Sequence, residues 1–424
     1  MSTSLLYHGW GLKGYRHVRS HYGGGKLIFT VQPNARSLTC PVCHGRDILY
    51  HGSLYRMWRE VSIGSKPVFI QMGIPRIECR ECSTIRQVKV GFADQRRTYT
   101  RGFERYALEL SRHMTILDVA RHLNVGWDLI KDIQKRFLHK CFSRPKLKNL
   151  RQIAIDEISI AKGQKYLTVV LDLDTGCVVF VGDGNGAEAL QPFWRRLRRS
   201  RARIEAVAMD MSKAYISAVT EHLPAATIVF DHVHVIKLFN DKLQEFRRQL
   251  FNQVQSEMEK KLIKGTRWLL LKNPENLVEE RDEPQRLQKA LQINQPLATV
   301  YYMKEDLRQL WSQKTRKRSA RFLADWMARA RVSGISMLEK FADTLQTHRD
   351  GILAYYDYPI STGPIEGTNN KIKTMKRMDY AFRYMEFFKL KIMALHETKY
   401  ALMGREAQMI IHKSHQHGRG IFPK

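Results

Sequence analysis

Between Ile153 and Asp231 the chain alternates short β-rich runs with amphipathic stretches, and this texture restricts the fold more than any other feature. "IAIDEISI" and "KYLTVVLDLDTGCVVFV" are rich in β-branched residues and joined by a glycine-containing turn. Asp174-Thr175-Gly176 marks a further turn inside the second run. "ALQPFWRRLRR" reads as a basic helix. "IEAVAMDMS" and "ATIVFD" read as buried strands on either side of the helix "KAYISAVTEHL". The expected class is α/β.

The rest of the chain differs in texture. Residues up to about Phe92 are rich in Gly, Pro and β-forming types and hold four of the six cysteines. Thr100 to Cys141 reads as short helices, followed by the basic linker "SRPKLKNLRQ". From His234 to about Asp350 nearly everything has helical spacing, as in Phe239, Leu243, Phe246 and Leu250. These shifts give expected segments 1–95, 96–145, 150–237, 238–355 and 356–424 of the 424-residue chain. A formal charge of +30 points to a polyanionic partner, with nucleic acid ahead of a membrane surface. No apolar run reaches the ~18 residues of a membrane-spanning helix, and the first residues lack the apolar core of a secretory signal. An intracellular protein is expected, whose cysteines are thiols or metal ligands.

Cys40-Pro-Val-Cys43 and Cys79-Arg-Glu-Cys82 are two matched CxxC units. Each can clamp one side of a tetrahedral zinc, and structural zinc is the expected cofactor. Val68 to Glu78 reads as a strand leading back to the second pair. Downstream, Thr115 suits an N-cap with Asp118 three residues on, Leu117, Val119, Ala120 and Leu123 form an apolar stripe, and Asn124-Val125-Gly126 makes a turn. The next helix is expected to bury Ile130, Ile133 and Phe137, with Trp127 as a core residue. Asp128, Lys131, Gln134 and Lys135 would face outward. Such a helix-turn-helix could enter a major groove, with Lys131, Gln134 and Lys135 as DNA contacts.

Asp156 ends the strand "IAIDE" and Asp210 the strand "AVAMD". An unpaired carboxylate at the end of a buried strand is costly, unless two such strands are neighbours and share a cation. The bland alternative is that each caps its own turn. "STGPIEGTNNKIKTMKR", Ser361 to Arg377, reads as a helix start, with Gly363 as N-cap, Pro364 first in the helix and Glu366 in the first turn. Glu366, Asn370, Lys373 and Arg377 share one face. Glu366 could complete a trio of oxygen ligands for divalent cations. In "SQKTRKRSARFLADWMARAR", Phe322 and Trp326 are expected in a helical core. Lys314, Arg316, Lys317, Arg318 and Arg321 make a basic edge suited to DNA phosphates.

"IAIDEISIAKGQKYLTVVLDLDTG", "AVAMDMSKAYISAV", "FDHVHVIKLFNDKLQEFRR" and "GPIEGTNNKIKTMKRMDYAFR" together resemble the successive blocks of insertion-sequence transposases of the ISL3 family. The resemblance implies a zinc ribbon, a helix-turn-helix and a ribonuclease H-like mixed sheet with a large all-α insertion. It implies an Asp, Asp, Glu trio at Asp156, Asp210 and Glu366 binding two magnesium ions, or manganese. It also implies a DNA transposase that binds terminal inverted repeats of double-stranded DNA as a dimer or larger assembly, on the bacterial nucleoid. Two positions depart from the family pattern. Ser212 stands where an aromatic is expected, and His232-Val233 replace Arg-Phe, while Asp231 and His234 match as accessory residues. Glu157 and Asp172 are expected to support the site or a turn. The rival reading is a DNA-binding regulator with an inactive core.

Overall fold

The structure, a computed structural model, describes residues 5–35, 38–161, 165–378 and 384–396. The tail of the last family block, Asp379–Arg383, residues 162–164, where a glycine-containing turn was expected, and residues 397–424 lie outside the described residues. The chain divides into two compact units, Met1–Cys141 and Phe142–Lys424.

The first unit begins with α1 (Leu5–Trp10), β1 (Tyr15–Gly23), β2 (Lys26–Pro33), β3 (Ile48–Ile63), β4 (Lys66–Cys79) and β5 (Ile85–Gln87). The sheet order is β1-β2-β4-β3, with β5 also on β4. One face buries Phe29, Val31, Val68, Ile70 and Met72 around Trp58. Three helices follow: α2 (Arg101–Leu110), α3 (Ile116–Leu123) and α4 (Trp127–Phe142). Thr115 caps α3 by accepting from the Asp118 N–H, and Asn124 closes it in the left-handed conformation at φ 51°. The helix-turn-helix is therefore built from the signals its sequence carries. Val119, Ala120 and Leu123 of the α3 stripe are buried as expected. Ile116 is buried where Leu117 was expected, and Leu117 is 44% exposed. Trp127, expected in the core, is 39% exposed.

The second unit holds β6 (Gln152–Ala161), β7 (Lys165–Asp172), β8 (Val178–Asp183), α5 (Gln191–Ser200), β9 (Ala206–Met209), α6 (Lys213–His222) and β10 (Thr227–Phe230). The sheet order is β10-β9-β6-β7-β8. β6, β9 and β10 run parallel, and β7 is antiparallel to both its neighbours. This is the ribonuclease H-like mixed sheet. Asp172 is the turn residue expected, accepting from the Asp174 N–H and the Thr175 hydroxyl between β7 and β8.

The long helical stretch comprises α7 (His232–Gln253), α8 (Glu257–Gly265), α9 (Glu283–Ile293), α10 (Gln295–Arg308), α11 (Arg316–Arg331), α12 (Ser336–Thr347) and α13 (Arg349–Leu353). Phe239, Trp326 and Phe341 pack edge-on at its centre, and the Trp326 indole N–H donates to the Met303 carbonyl at 2.9 Å. The helices α14 (Gly363–Met378) and α15 (Met385–Met393) return to the sheet, α14 against β6 and β7, α15 against β8.

Candidate active site and metal centre

Asp156 is fixed by the strand pairing. β6 and β9 align Ile153 with Val207 and Ala154 with Ala208. Two residues further on, the same register sets Asp156 beside Asp210, which follows directly on β9. Alternation along both strands gives the two side chains one face. Asp156 Oδ1 accepts the Glu157 N–H at 2.8 Å, and Asp210 Oδ1 accepts the Ser212 N–H at 3.0 Å. Any residue but proline at 212 supplies that N–H, so the missing aromatic does not cost Asp210 its partner.

α14 brings the third acid. It opens at Gly363, one residue earlier than expected, with buried Thr362 just before it. Ile365, Thr368, Asn369 and Ile372 form its buried side, whereas Asn370, Lys373 and Arg377 are exposed. Glu366 is half-buried, and Oε1 lies 3.4 Å from the Thr362 hydroxyl and 3.3 Å from His234 Nε2. The His234 contact has ion-pair distance without hydrogen-bond alignment, since Nε2 is buried with no hydrogen-bond partner.

Asp231 ties these elements together. It is 2% exposed. Oδ1 caps α7 by accepting from the Val233 N–H at 2.7 Å, and Oδ2 accepts the Thr362 N–H at 2.6 Å. One carboxylate thus fastens the start of α14 to the start of α7.

Asn369 was not anticipated from the sequence. Its Nδ2 donates to Asp156 Oδ2 at 2.7 Å. Sequence spacing favoured its neighbour Asn370, but the buried side of α14 includes 369 and excludes 370. Burial raises the Asp156 pKa above the ordinary carboxylate range. The Glu157 N–H and His234 oppose the rise, and the charges of Asp210 and Glu366 add to it. Asp156, Asp210, Glu366 and His234 therefore share one electrostatic neighbourhood. Glu157 is raised too, by burial first and then by Asp210 and Asp156.

The other dense ligand set is sulfur. The four thiols of Cys40, Cys43, Cys79 and Cys82 lie within 4.8 Å of one another. Among the described residues they are the one group gathered tightly enough to hold a metal ion as it stands. Cys40 and Cys82 sulfurs are 3.6 Å apart, Cys43 and Cys79 sulfurs 3.4 Å. Tetrahedral zinc with sulfur at about 2.3 Å would set them near 3.8 Å. Backbone N–H groups of Val42 and Gly45 point at the Cys40 and Cys43 sulfurs, both at 3.4 Å. The Cys43 and Val42 backbone N–H groups help lower the Cys40 pKa to about 6. The residues fit a structural zinc.

The expected DNA contacts divide. Gln134 is buried, 7% exposed, and does not face outward. It lies one turn past Ile130 and beside Ile133, on the buried stripe of α4. Lys131 folds back along its helix, its ammonium 3.1 Å from the Asp128 carboxylate and 4.7 Å from the Trp127 ring centroid. Lys135 is half-buried. On the insertion, Lys314, Arg316, Lys317, Arg318 and Arg321 are all exposed, and Arg316 pairs with Asp357.

Three family models match consecutive parts of the chain. A zinc-finger of IS204/IS1001/IS1096/IS1165 transposases covers residues 36–82. A helix-turn-helix domain of transposase family ISL3 covers 88–138. The ISL3 DDE model, described as a transposase, covers 153–392. The transposase for insertion sequence element IS1001 of Bordetella parapertussis is 32% identical over 390 residues, covering 91% of this chain and 96% of that protein. The transposase for insertion sequence element IS1557 of Mycobacterium tuberculosis is 28% identical over 387 residues, covering 85% and 86%. The Drosophila P element transposase strand transfer complex aligns at 12% identity and a TM-score of 0.37, over 72% of this chain and 94% of that one. A likeness that loose adds nothing to the fold described above.

Proposed function

The chain belongs to the ISL3 family of DDE transposases, and from that premise we propose that Asp156, Asp210 and Glu366 are its catalytic carboxylates, holding two magnesium or manganese ions. The observation that carries this reading is the convergence at Asp156. Two acids, 54 and 210 positions further along the chain, both raise its pKa. Clustered carboxylates repel one another, and a divalent cation relieves that repulsion. Asn369 holds the Asp156 carboxylate from one side while its other oxygen takes the Glu157 N–H. Asp231 holds Glu366 in reach by anchoring the turn before α14.

Bound there, magnesium would lower the pKa of a water and offset charge building on a phosphodiester. The reaction proposed is hydrolysis at the element end, followed by attack of the freed 3′-hydroxyl on target DNA. The exposed start of α4, with Trp127 and Asp128, would face bases, together with Lys135. Asn370, Lys373, Arg377 and the basic edge of α11 would hold phosphates. Pairing two terminal repeats calls for a dimer or larger assembly on DNA. Among the described residues no helix is long and apolar enough to cross a membrane.

Cleavage of duplex DNA carrying the element ends tests the trio. Asp156→Asn, Asp210→Asn and Glu366→Gln keep shape and remove charge. Each should abolish magnesium-dependent cleavage and leave affinity for end DNA near that of the unaltered protein. Any one of them cleaving at the full rate removes that residue from the trio. If the unaltered protein binds end DNA but never nicks it with magnesium or manganese, the chain is a DNA-binding regulator with an inactive core.

A further inference from the structure

The first 46 residues contain no aspartate or glutamate, and Asp47 is the first acid in the chain. The β1–β2 hairpin lies within this stretch, before the first CxxC unit and the helix-turn-helix in the chain. β1 is an edge strand whose one neighbour is β2, and Arg16 to Tyr22 are all exposed. An exposed edge strand is ordinarily a liability, managed by charge or bulges. Here both occur, and the bulge has a further effect.

The pairing runs Tyr15 to Pro33, Arg16 to Gln32 and His17 to Val31, then resumes with Arg19 opposite Thr30. Val18 is the extra residue. Arg16 and Arg19 are three apart, and plain alternation would send them to opposite faces. The bulge restores them to one face. Paired residues share a face. Phe29 and Val31 are buried, which leaves Ile28, Thr30 and Gln32 on the outer side. Arg16, Arg19 and His21, opposite Gln32, Thr30 and Ile28, therefore all lie on that outer side. Arg16 is braced there by a 3.0 Å bond from its guanidinium to Gln32 Oε1.

The tip is cationic as well. Gly24 and Gly25, at φ 57° and 72°, make a two-residue turn that needs glycine's freedom. Lys26 follows it. From the neighbouring β3–β4 turn, the Lys66 ammonium donates to the Tyr22 hydroxyl at 3.0 Å. Among the described residues none of Arg16, Arg19, Lys26 and Lys66 has an acidic partner. A two-stranded ribbon is narrow enough to lie in or along a major groove.

We propose that the outer face of the β1–β2 hairpin is a second DNA-binding surface of the first unit, gripping the backbone of duplex DNA through Arg16, Arg19 and Lys26. The proposal rests on the DNA-binding reading above. Charge complementarity selects the occupant, since an acid-free cationic ribbon fits phosphates and offers no match to a basic partner.

The test uses the full chain with Arg16→Gln, Arg19→Gln and Lys26→Gln combined, titrated with end duplex and random duplex over a range of salt. All three side chains are exposed, so zinc content and circular dichroism should match the unaltered protein. Affinity for both duplexes should fall at least about tenfold at low salt, and the log–log salt slope should flatten by about 0.9 per lost contact. Arg19→Glu alone should also weaken both. If the unaltered protein binds and the triple variant shows the same affinity and slope, the ribbon is not a DNA surface. If the unaltered protein binds no duplex at all, the failure is of the DNA-binding reading itself.

Discussion

At the residue scale the site depends on which side of α14 faces the sheet. Sequence placed Glu366 correctly in a first turn, because Gly-Pro followed by an acid is a local signal. Neighbouring asparagines carry no such signal. Asn369 and Asn370 differ by about 100° around the helix, and only packing of Ile365, Thr368 and Ile372 decides which is inward. Lys131, Gln134, Leu117 and Trp127 failed as expectations for the same reason. Spacing gives a helix its period, and the partner elements set its rotation. Asn369→Ala should test the inward residue. Asp156 would lose its side-chain donor, and groups that support a metal ligand typically matter about 10- to 100-fold. Cleavage should fall by that amount with end-DNA affinity unchanged. An equal fall in both would show that the substitution damages the fold rather than the carboxylate.

Elements were more legible than their contacts. Both CxxC units, the caps of α3 and Asp210 at the close of β9 are short-range patterns and read directly, whereas Asp156, expected to end its strand, lies in the middle of β6 because pairing with β7 carries that strand on to Ala161. Long-range contacts left no such trace, and Arg59 is the plainest case. It is buried at 6% exposure on β3 and donates to the carbonyls of Glu60, Val68 and Leu123. The last of these is the end of α3, so one guanidinium joins the ribbon sheet to the helix-turn-helix. Arg59→Ala strands those carbonyls and should cost about 3 kcal/mol or more in urea unfolding of the first unit. Arg59→Lys should rescue little, because one ammonium cannot span the same fork. Next to it, burial raises the Glu60 pKa, against the opposing Val61 N–H and Thr100 hydroxyl. The native state then holds that proton more tightly than the unfolded chain. Stability contributed by Glu60 must fall as pH rises from the ordinary carboxylate value through the raised one. Glu60→Gln should flatten that decline in unfolding measured across the acid range.

At the scale of the whole molecule, net charge correctly indicated a polyanion-binding chain and texture an α/β core, while the ribonuclease H-like sheet followed from the family resemblance. The sequence also showed the basic edge of α11, though not that Arg316 is engaged with Asp357. α11 starts with Arg316, Lys317 and Arg318 and has no acid in its first turn. Cations there oppose the helix dipole at about 0.3–1 kcal/mol each. Lys317→Gln, Arg318→Gln and Arg321→Gln together should thus leave the melting temperature level or raise it, while weakening end and random DNA alike. Loss of end preference alone would reassign this edge to base reading. The first unit's core runs from Leu6 to Ala93 and is closed at one end by four thiols. Among the described residues the second unit, with its core from Leu147 to Leu353, gathers no such group of thiols. Ligand binding stabilises only the state that binds it, and a multidomain chain need not unfold in one step. Calorimetry should resolve two transitions. Zinc chelation or Cys79→Ser should lower one and leave the other in place, about one zinc should be released per chain, and end-DNA affinity should fall with the affected transition. A single transition that moves as a whole on chelation would mean that the two units unfold as one cooperative body.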